Sequence, residues 1–225
     1  LTKKPRQIQE EYETIADAPI VCSLCAEQIC GVVGTHAETV SLIKNMIVQL
    51  ATHHCYTEMK MICVLGADDK ADLKWLKDLP HFQDDEGKDC CVAATKDEAK
   101  ELFRHFTEVF KQRKLAALAN DSYGKAAQYL PYYLFLILEP AFLEKSDPIN
   151  EYLFFSRNLG LGCVMAVQDV AQLPKECREI ITLKGRKGYI FNPNSASEKR
   201  AFVLDPMPET GYTAFGRNMN PIRCD

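Results

Sequence analysis

The chain has 225 residues, of which 47% are hydrophobic and 26% are charged, a composition typical of one soluble globular domain. Its 27 Lys and Arg against 31 Asp and Glu give a formal net charge of -4. This balance argues against a dedicated nucleic-acid-binding protein, because affinity for polyanions needs clustered cations. No run approaches the roughly 20 apolar residues of a membrane helix. Because the chain begins at Leu1 rather than Met, we interpret it as a soluble piece of a longer protein.

Strands and helices alternate along the first half of the chain. The polar residues 1–18 predict a lead-in linker, and residues 20–25 a short edge strand. Apolar runs predict three further strands, at residues 28–33, 59–65 and 90–94. Apolar residues recur at helical spacing at residues 38–54, at residues 69–78 and from Thr95 onward, where Thr95 and Glu98 form a capping box. The last of these helices turns Phe103, Phe106 and Phe110 to one face, which we interpret as core rather than as a ligand-binding box.

The second half continues the alternation. Residues 132–138 form an uninterrupted apolar run, which predicts a strand buried on both faces, as in a parallel sheet. The remaining predicted elements are strands at 162–167, 188–191 and 200–204 and helices at 147–158 and 174–181. Residues 206–225 contain several Pro and Gly and predict a connection to a following module, which leaves residues 19–205 as the domain. This order predicts an α/β fold with three αβα layers around a mostly parallel sheet.

The Cys and His residues predict no metal or catalytic site. Cys22 and Cys25 have the C-x-x-C spacing of half a zinc site, but no second pair follows. Most other Cys lie in apolar runs, where a free thiol packs as a small hydrophobe. His53 and His54 follow the end of a predicted helix, where a protonated His complements the helix dipole, and His81 is predicted to be a packing or loop residue. No Ser/His/Asp or Cys/His arrangement can be assembled from the sequence.

The turn after the first clear strand is the place where such a fold binds a ligand. A phosphate-binding P-loop reads G-x-x-x-x-G-K-[ST] there. The corresponding residues of this chain are Gly31, Val32, Val33, Gly34, Thr35, His36, Ala37 and Glu38. Gly31 fills the first glycine position, and Gly34 is a common internal glycine. His36, Ala37 and Glu38 stand where the second glycine, the lysine and the magnesium-binding hydroxyl belong.

These replacements predict a vestigial phosphate loop. Ala37 removes the cation, and Glu38 brings a carboxylate that would repel a phosphate about 4 Å away by roughly 1 kcal/mol even in water. An ordinary strand-to-helix turn remains an alternative interpretation, in which Glu38 serves only as an acid at the helix N-terminus or weak anion binding persists. Glu139 ends the 132–138 strand and is interpreted as a vestige of the acidic strand end that positions magnesium. Gln168 and Asp169 are either a vestige of a phosphate-sensing position or a solvated strand end.

Residues 31–38 and several later segments resemble one family. The resembling segments are residues 31–38, 45–50, 54–56, 75–81, 173–181 and 215–223. In order and spacing they are similar to the first, membrane-proximal ATPase-like module of the FtsK/SpoIIIE-type proteins of type VII secretion, the EssC/EccC family. The resemblance runs across about the whole chain. It implies a P-loop NTPase-like (RecA-like) fold with a degenerate nucleotide site and no bound ATP or magnesium.

The resemblance also implies a role and partners. The module would be non-catalytic and would couple the membrane-anchored part of a secretion motor to its active ATPase modules, for export of small Trp-x-Gly proteins. Its partners would be the other ATPase modules of the same chain, membrane components of the system and, in a homo-oligomer of the full-length protein, further copies. It would lie on the cytoplasmic face of the cell membrane and would not bind nucleic acid. One alternative is an ATP-binding or active NTPase. Its missing cation would come from Lys44, or Lys184, Arg186 and Lys187 would act on the nucleotide of a neighbouring domain. The other alternative is a DNA translocase.

Overall fold

The computed structural model describes residues 18–84, 91–119, 129–155, 159–195, 199–205 and 207–222. The predicted linker up to residue 17, and Cys90, Asn158 and residue 206, therefore lie outside the described residues. Within them, eight strands form one sheet in the order β3-β2-β4-β5-β1-β6-β7-β8. Their bounds are β1 Ile29–Val33, β2 Met59–Val64, β3 Val92–Ala93, β4 Tyr132–Ile137, β5 Leu161–Val167, β6 Glu179–Lys184, β7 Lys187–Phe191 and β8 Arg200–Val203.

The six strands from β3 to β6 are parallel, and β7 and β8 extend the sheet in antiparallel fashion. The strand β1 is central, paired with β5 on one side and β6 on the other. Every residue of β1, β2, β4 and β5 is buried, because both faces of a parallel sheet are covered by crossover segments. The predicted mostly parallel α/β fold is confirmed.

Helices cover both faces of the sheet. Their bounds are α1 Leu24–Glu27, α2 His36–His53, α3 Lys96–Ala119, α4 Asn150–Leu153 and α5 Glu209–Met219. Short 3-10 turns lie at Ala67–Lys70, Lys74–Asp78, Pro80–Phe82, Pro140–Phe142 and Val170–Gln172. One hydrophobic core lies between the sheet and α2, α5 and the turns near Trp75. The other lies between the sheet and α3 and α4 and contains Phe103, Phe106 and Phe110, which confirms the predicted core face.

Two predicted elements are wrong. Residues 174–178 form an irregular loop, and Glu179–Lys184 is a strand rather than the end of a helix. Three consecutive β-branched residues, Ile180 to Thr182, favour a strand there. The predicted edge strand at residues 20–25 is absent; Ile20, Cys22 and Leu24 pack against the first core, and α1 begins at Leu24.

Other elements differ from the predictions mainly in length. The predicted helix at 147–158 is reduced to α4 in the described residues, because the Asp147 carboxylate accepts a hydrogen bond from the Glu144 N–H in a preceding turn, at 2.7 Å. The predicted helix at 69–78 is a series of 3-10 turns that bury Trp75 and Leu76. The capping box is present: the Glu98 N–H donates to the Thr95 hydroxyl, and the Glu98 carboxylate accepts from the Ala94 N–H.

The C-terminal helix α5 packs on the domain. Tyr212 is buried, and its ring stacks on Trp75 with centroids 5.5 Å apart. Its hydroxyl donates to Asn45 Oδ1 of α2 at 2.7 Å. The buried ammonium of Lys44, also on α2, donates to both carboxylate oxygens of Glu209 at 2.9 and 3.1 Å. We call the two pairs that join these helices, Asn45 with Tyr212 and Lys44 with Glu209, the α2–α5 contact. That residues 206–225 lead to a following module stays a prediction.

Candidate functional site

The carboxyl ends of the parallel strands meet at one edge of the sheet, and the β1–α2 turn lies there. Gly31, however, does not lie in that turn. It lies within β1, in register with Met165 of β5 and Ile180 of β6. A Cβ atom on Gly31 would lie 2.4 Å from the Leu173 side chain, so the missing side chain leaves room for Leu173 rather than for a phosphate.

The turn itself is too short to encircle a phosphate. β1 ends at Val33 and α2 begins at His36, which leaves only Gly34 and Thr35 between them. A P-loop needs a longer glycine-rich segment, whose successive N–H groups point at the phosphates. Here the Gly34 N–H already donates to the Val167 carbonyl at 3.1 Å. The described geometry therefore contains no nest of free amides between strand and helix.

Glu38 takes the position of an anion at the start of α2. Its Oε2 accepts from the Thr35 N–H at 2.7 Å and from the Thr35 hydroxyl at 2.8 Å. Its Oε1 accepts a short hydrogen bond from the N–H of Gly185, in the turn between β6 and β7. These bonds, that from Gly185 foremost, hold the pKa of the Glu38 carboxyl below its ordinary value. The carboxylate thus closes the capping box with Thr35 and links the start of α2 to the β6–β7 hairpin.

His36 and Ala37 supply no phosphate ligand in this arrangement. The His36 Nε2 atom lies 2.6 Å from the Asp69 carboxylate, and Asp69 is almost fully buried. Asp69 also accepts from the Gly66 N–H at 3.3 Å and so closes the turn that follows β2. Ala37 is exposed and offers no charge where the lysine of a P-loop would stand.

The polar residues at the ends of β4 and β5 form hydrogen bonds within the loops that follow these strands. Glu139 accepts from the Ala141 N–H at 3.3 Å and caps the turn Pro140–Phe142. The N–H groups of Gln168 and Asp169 both donate to the Gln172 side chain at 3.0 Å. Glu139 therefore lies at the edge predicted for the acidic strand end, and its contact there is the capping of a turn.

Two open grooves flank the β1–α2 turn and share Gly34, His36 and Gln168. The groove on the β6 side, about 540 Å³, also contains Glu38 and Lys184, and the groove on the β4 side, about 310 Å³, contains Glu139. Lys184 is the one Lys or Arg among the described residues that line them. A carboxylate faces each groove, so neither resembles the cationic cleft that holds a nucleotide.

The cations proposed as substitutes are placed as follows. Lys44 is buried and bound to Glu209, so it cannot reach the turn. Arg186 donates to the Leu204 carbonyl at 2.9 Å and to the Asp205 carboxylate at 3.0 Å, while Lys184 and Lys187 remain exposed. The sequence did not reveal three neighbours: Asp69 beside His36, Glu209 beside Lys44 and Leu173 beside Gly31. Only Asp69 had a readable signal, three residues after Gly66, in the turn that follows β2.

Burial governs the chemistry of His81, which lies in the 3-10 turn Pro80–Phe82 and is 2% exposed. Its Nε2 bonds to the His54 carbonyl at 2.8 Å, and its Nδ1 is buried with no hydrogen-bond partner among the described residues. Desolvation lowers the pKa of His81 and outweighs the hydrogen bond to the His54 carbonyl, which acts the other way; the nearby Lys60 ammonium adds to the lowering. This geometry confirms a packing role.

The lowered pKa of His81 gives a testable pH dependence. Because the unfolded chain binds the proton more tightly, the free energy of unfolding is expected to fall as the pH drops below about 6.5, the ordinary pKa of histidine. The loss should level off once the pH is below the folded-state pKa. In His81→Gln, which keeps an N–H for the His54 carbonyl, this part of the decline should disappear. Urea unfolding between pH 5 and 8 measures it, and an unchanged decline would contradict the assignment. His105→Gln, at an exposed position on α3, is the control.

The comparisons with known proteins point to type VII secretion. No family model matches the chain. It is 20% identical over 224 residues to the ESX secretion system protein EccC of Geobacillus thermodenitrificans, and 22% identical over 224 residues to the ESX secretion system protein YukB of Bacillus subtilis. Both matches include 99% of this chain. The chain is homologous to these secretion proteins. It spans only 15% and 14% of their lengths.

Solved structures agree on the fold. The part of Geobacillus thermodenitrificans EssC that contains ATPases 2 and 3 matches with a TM-score of 0.62 at 11% identity, over 85% of this chain and 43% of that one. This likeness supports the P-loop NTPase-like fold predicted for the chain. No helix in the described part of the chain combines the length and hydrophobicity that crossing a bilayer requires.

Proposed function

We propose that this EccC homologue is a non-catalytic ATPase-like module of a type VII secretion motor. It would couple the membrane-anchored part of the motor to ATPase modules that hydrolyse nucleotide, for export of small Trp-x-Gly proteins. The observation that carries the proposal is the Glu38 carboxylate at the N-terminus of α2, bound to Thr35 and Gly185 where a P-loop would hold phosphate. The homology to EccC and YukB supplies the secretion context.

Electrostatics and loop length both disfavour nucleotide in this site. A triphosphate at the start of α2 would have to displace Glu38 or accept its repulsion, with Ala37 in place of a lysine. The only cation lining the grooves in the described residues, Lys184, is on the hairpin and not on the turn. The two-residue turn offers no curled backbone to replace the lost cation. ATP and magnesium are therefore not part of the proposed function, and neither is a nucleic-acid partner.

The coupling role is supported by the α2–α5 contact. Helix α2 begins at the vestigial turn, and its middle carries Lys44 and Asn45, which hold α5 through Glu209 and Tyr212. A module that follows α5 would therefore be joined rigidly to the centre of the domain. The membrane components, the neighbouring modules and a place at the cytoplasmic face of the membrane belong to this proposal.

The test is calorimetric titration of the folded domain with magnesium-ATP. We expect no binding heat, and also none for Ala37→Lys/Glu38→Thr, which restores the side chains of a P-loop but leaves the turn two residues long. Micromolar affinity of the unaltered domain would overturn the proposal and favour an ATP-binding NTPase. Binding gained only by the double variant would show that charge, and not loop length, excludes the nucleotide.

A further inference from the structure

The face of β6, β7 and β8 that points away from α2 is basic and apolar. Cross-strand partners lie on the same face of a sheet, so the register defines three rows. The rows are Ile180, Phe191 and Lys199; Thr182, Tyr189 and Ala201; and Lys184, Lys187 and Val203. Tyr189 is 51% exposed and Val203 61% exposed. Ile180 is buried in the second core and Phe191 packs against it, so the exposed part lies in the other two rows and at Lys199. We call these nine residues the hairpin face.

The hairpin face is positively charged, whereas the chain as a whole is negatively charged. It carries three lysines and no carboxylate of its own, although the whole chain has a net charge of -4. At one end of the face, Lys184 also lines the groove that contains Glu38 of α2. Lys184 and Lys187 are direct cross-strand partners, an arrangement that costs stability because like charges face each other. The Lys199 ammonium lies 4.6 Å from the centre of the Phe191 ring and leaves Tyr189 uncovered. A partner that brings carboxylates to this face would relieve the repulsion and cover the apolar residues.

We propose that the hairpin face docks an acidic surface of another module of the same polypeptide. This inference rests on the proposed place of the domain in a multi-module chain, and not on its failure to bind nucleotide. A single-stranded nucleic acid fits less well, since one freely exposed aromatic ring and three lysines make a poor stacking platform, and Ala201 and Val203 would meet phosphates.

The size of the face decides between a free partner and a tethered one. Three strands of about five residues span roughly 15 by 17 Å, given strand and residue spacings. Such a patch cannot by itself bury the roughly 800 Å² per partner of a stable complex between separate proteins. A module held on the same polypeptide, however, reaches effective concentrations of about 1 mM, at which a small contact suffices.

The test is zero-length crosslinking of the multi-module protein with a water-soluble carbodiimide. This reagent joins a lysine amine to a touching carboxylate as an amide, and the carbodiimide takes up the water that is lost. We expect links from Lys187 or Lys199 to Asp or Glu residues outside residues 1–225, located by mass spectrometry. Tyr189→Ala/Val203→Ser should reduce these links several-fold, whereas Leu115→Ala, at another exposed apolar position, should not.

Three results would overturn the inference. In the first, Lys187 and Lys199 link only within residues 1–225, or the double variant leaves the links unchanged. In the second, the 225-residue chain sediments as a dimer that Lys187→Glu abolishes, which would assign the face to a second copy. In the third, it shifts single-stranded DNA on a gel and Lys187→Glu removes the shift. Magnesium-ATP titration of the unaltered domain tests the proposed function separately, so the two failures are distinguishable.

Discussion

Replacing Tyr212 with alanine is expected to lower the free energy of unfolding by about 3–5 kcal/mol, the usual loss for a large buried aromatic residue. The ring is 2% exposed and stacks on Trp75, and its hydroxyl is a buried donor to Asn45. Tyr212→Phe keeps the ring and should cost only about 1–3 kcal/mol, because Asn45 Oδ1 then loses its best donor. Urea unfolding monitored by circular dichroism gives both values.

The matched control is Tyr189→Ala, at a half-exposed tyrosine, which should change stability by less than about 0.5 kcal/mol. Tyr212→Ala should also open α5 to limited proteolysis near Glu209 while the rest of the domain stays resistant. A fully stable Tyr212→Ala protein with a protected C-terminus would contradict the α2–α5 contact. The proposed coupling role would then lose its structural basis, even if the domain still failed to bind nucleotide.

Phe110→Ala is expected to be as severe, with a loss of about 3–5 kcal/mol. Phe110 is fully buried on α3 and lies among Phe106, Tyr133 and Phe135 of the second core. A cavity left there would also remove a ring beneath the Arg113 guanidinium, which lies 5.7 Å from the ring centre. Urea unfolding measures the loss.

Leu115→Ala on the same helix provides the control, since Leu115 is 55% exposed and should change stability by less than about 0.5 kcal/mol. Equal losses at the two positions would mean that burial in the second core does not decide the cost of the Phe110 substitution, because alanine favours the helix at both positions. A ligand-binding role for the aromatic face would instead appear as a Phe110→Ala protein of normal stability.

The sequence was sufficient for the layered architecture because its apolar runs are long and unambiguous. The continuous run that became β4 could belong only to a strand buried on both faces. The prediction for residues 174–181 was wrong because Pro174 is typical of a helix start, whereas the β-branched residues of β6 come later. A strand of this kind is confirmed only by its pairing with β1, which local sequence does not reveal.

The candidate site was readable in part. Comparison with the P-loop motif was enough to identify Ala37 as the position of the missing cation and Glu38 as the added acid. The motif could not show that Gly31 belongs to β1, because a spacing rule does not tell where a strand ends. Nor could it pair Tyr212 with Asn45, 167 residues away in the chain, since such contacts depend on the final packing of distant helices.

The bond between Glu38 and Gly185 has an evolutionary consequence. The same carboxylate that would repel a phosphate also accepts from the Gly185 N–H of the β6–β7 hairpin, so exchanging it for a hydroxyl removes that hairpin contact. Under the proposed function, a lineage that acquires ATPase activity would need a longer turn, a lysine and a new hairpin contact together. No one of these changes would create a phosphate site by itself, so the proposed non-catalytic state would be protected against reversal.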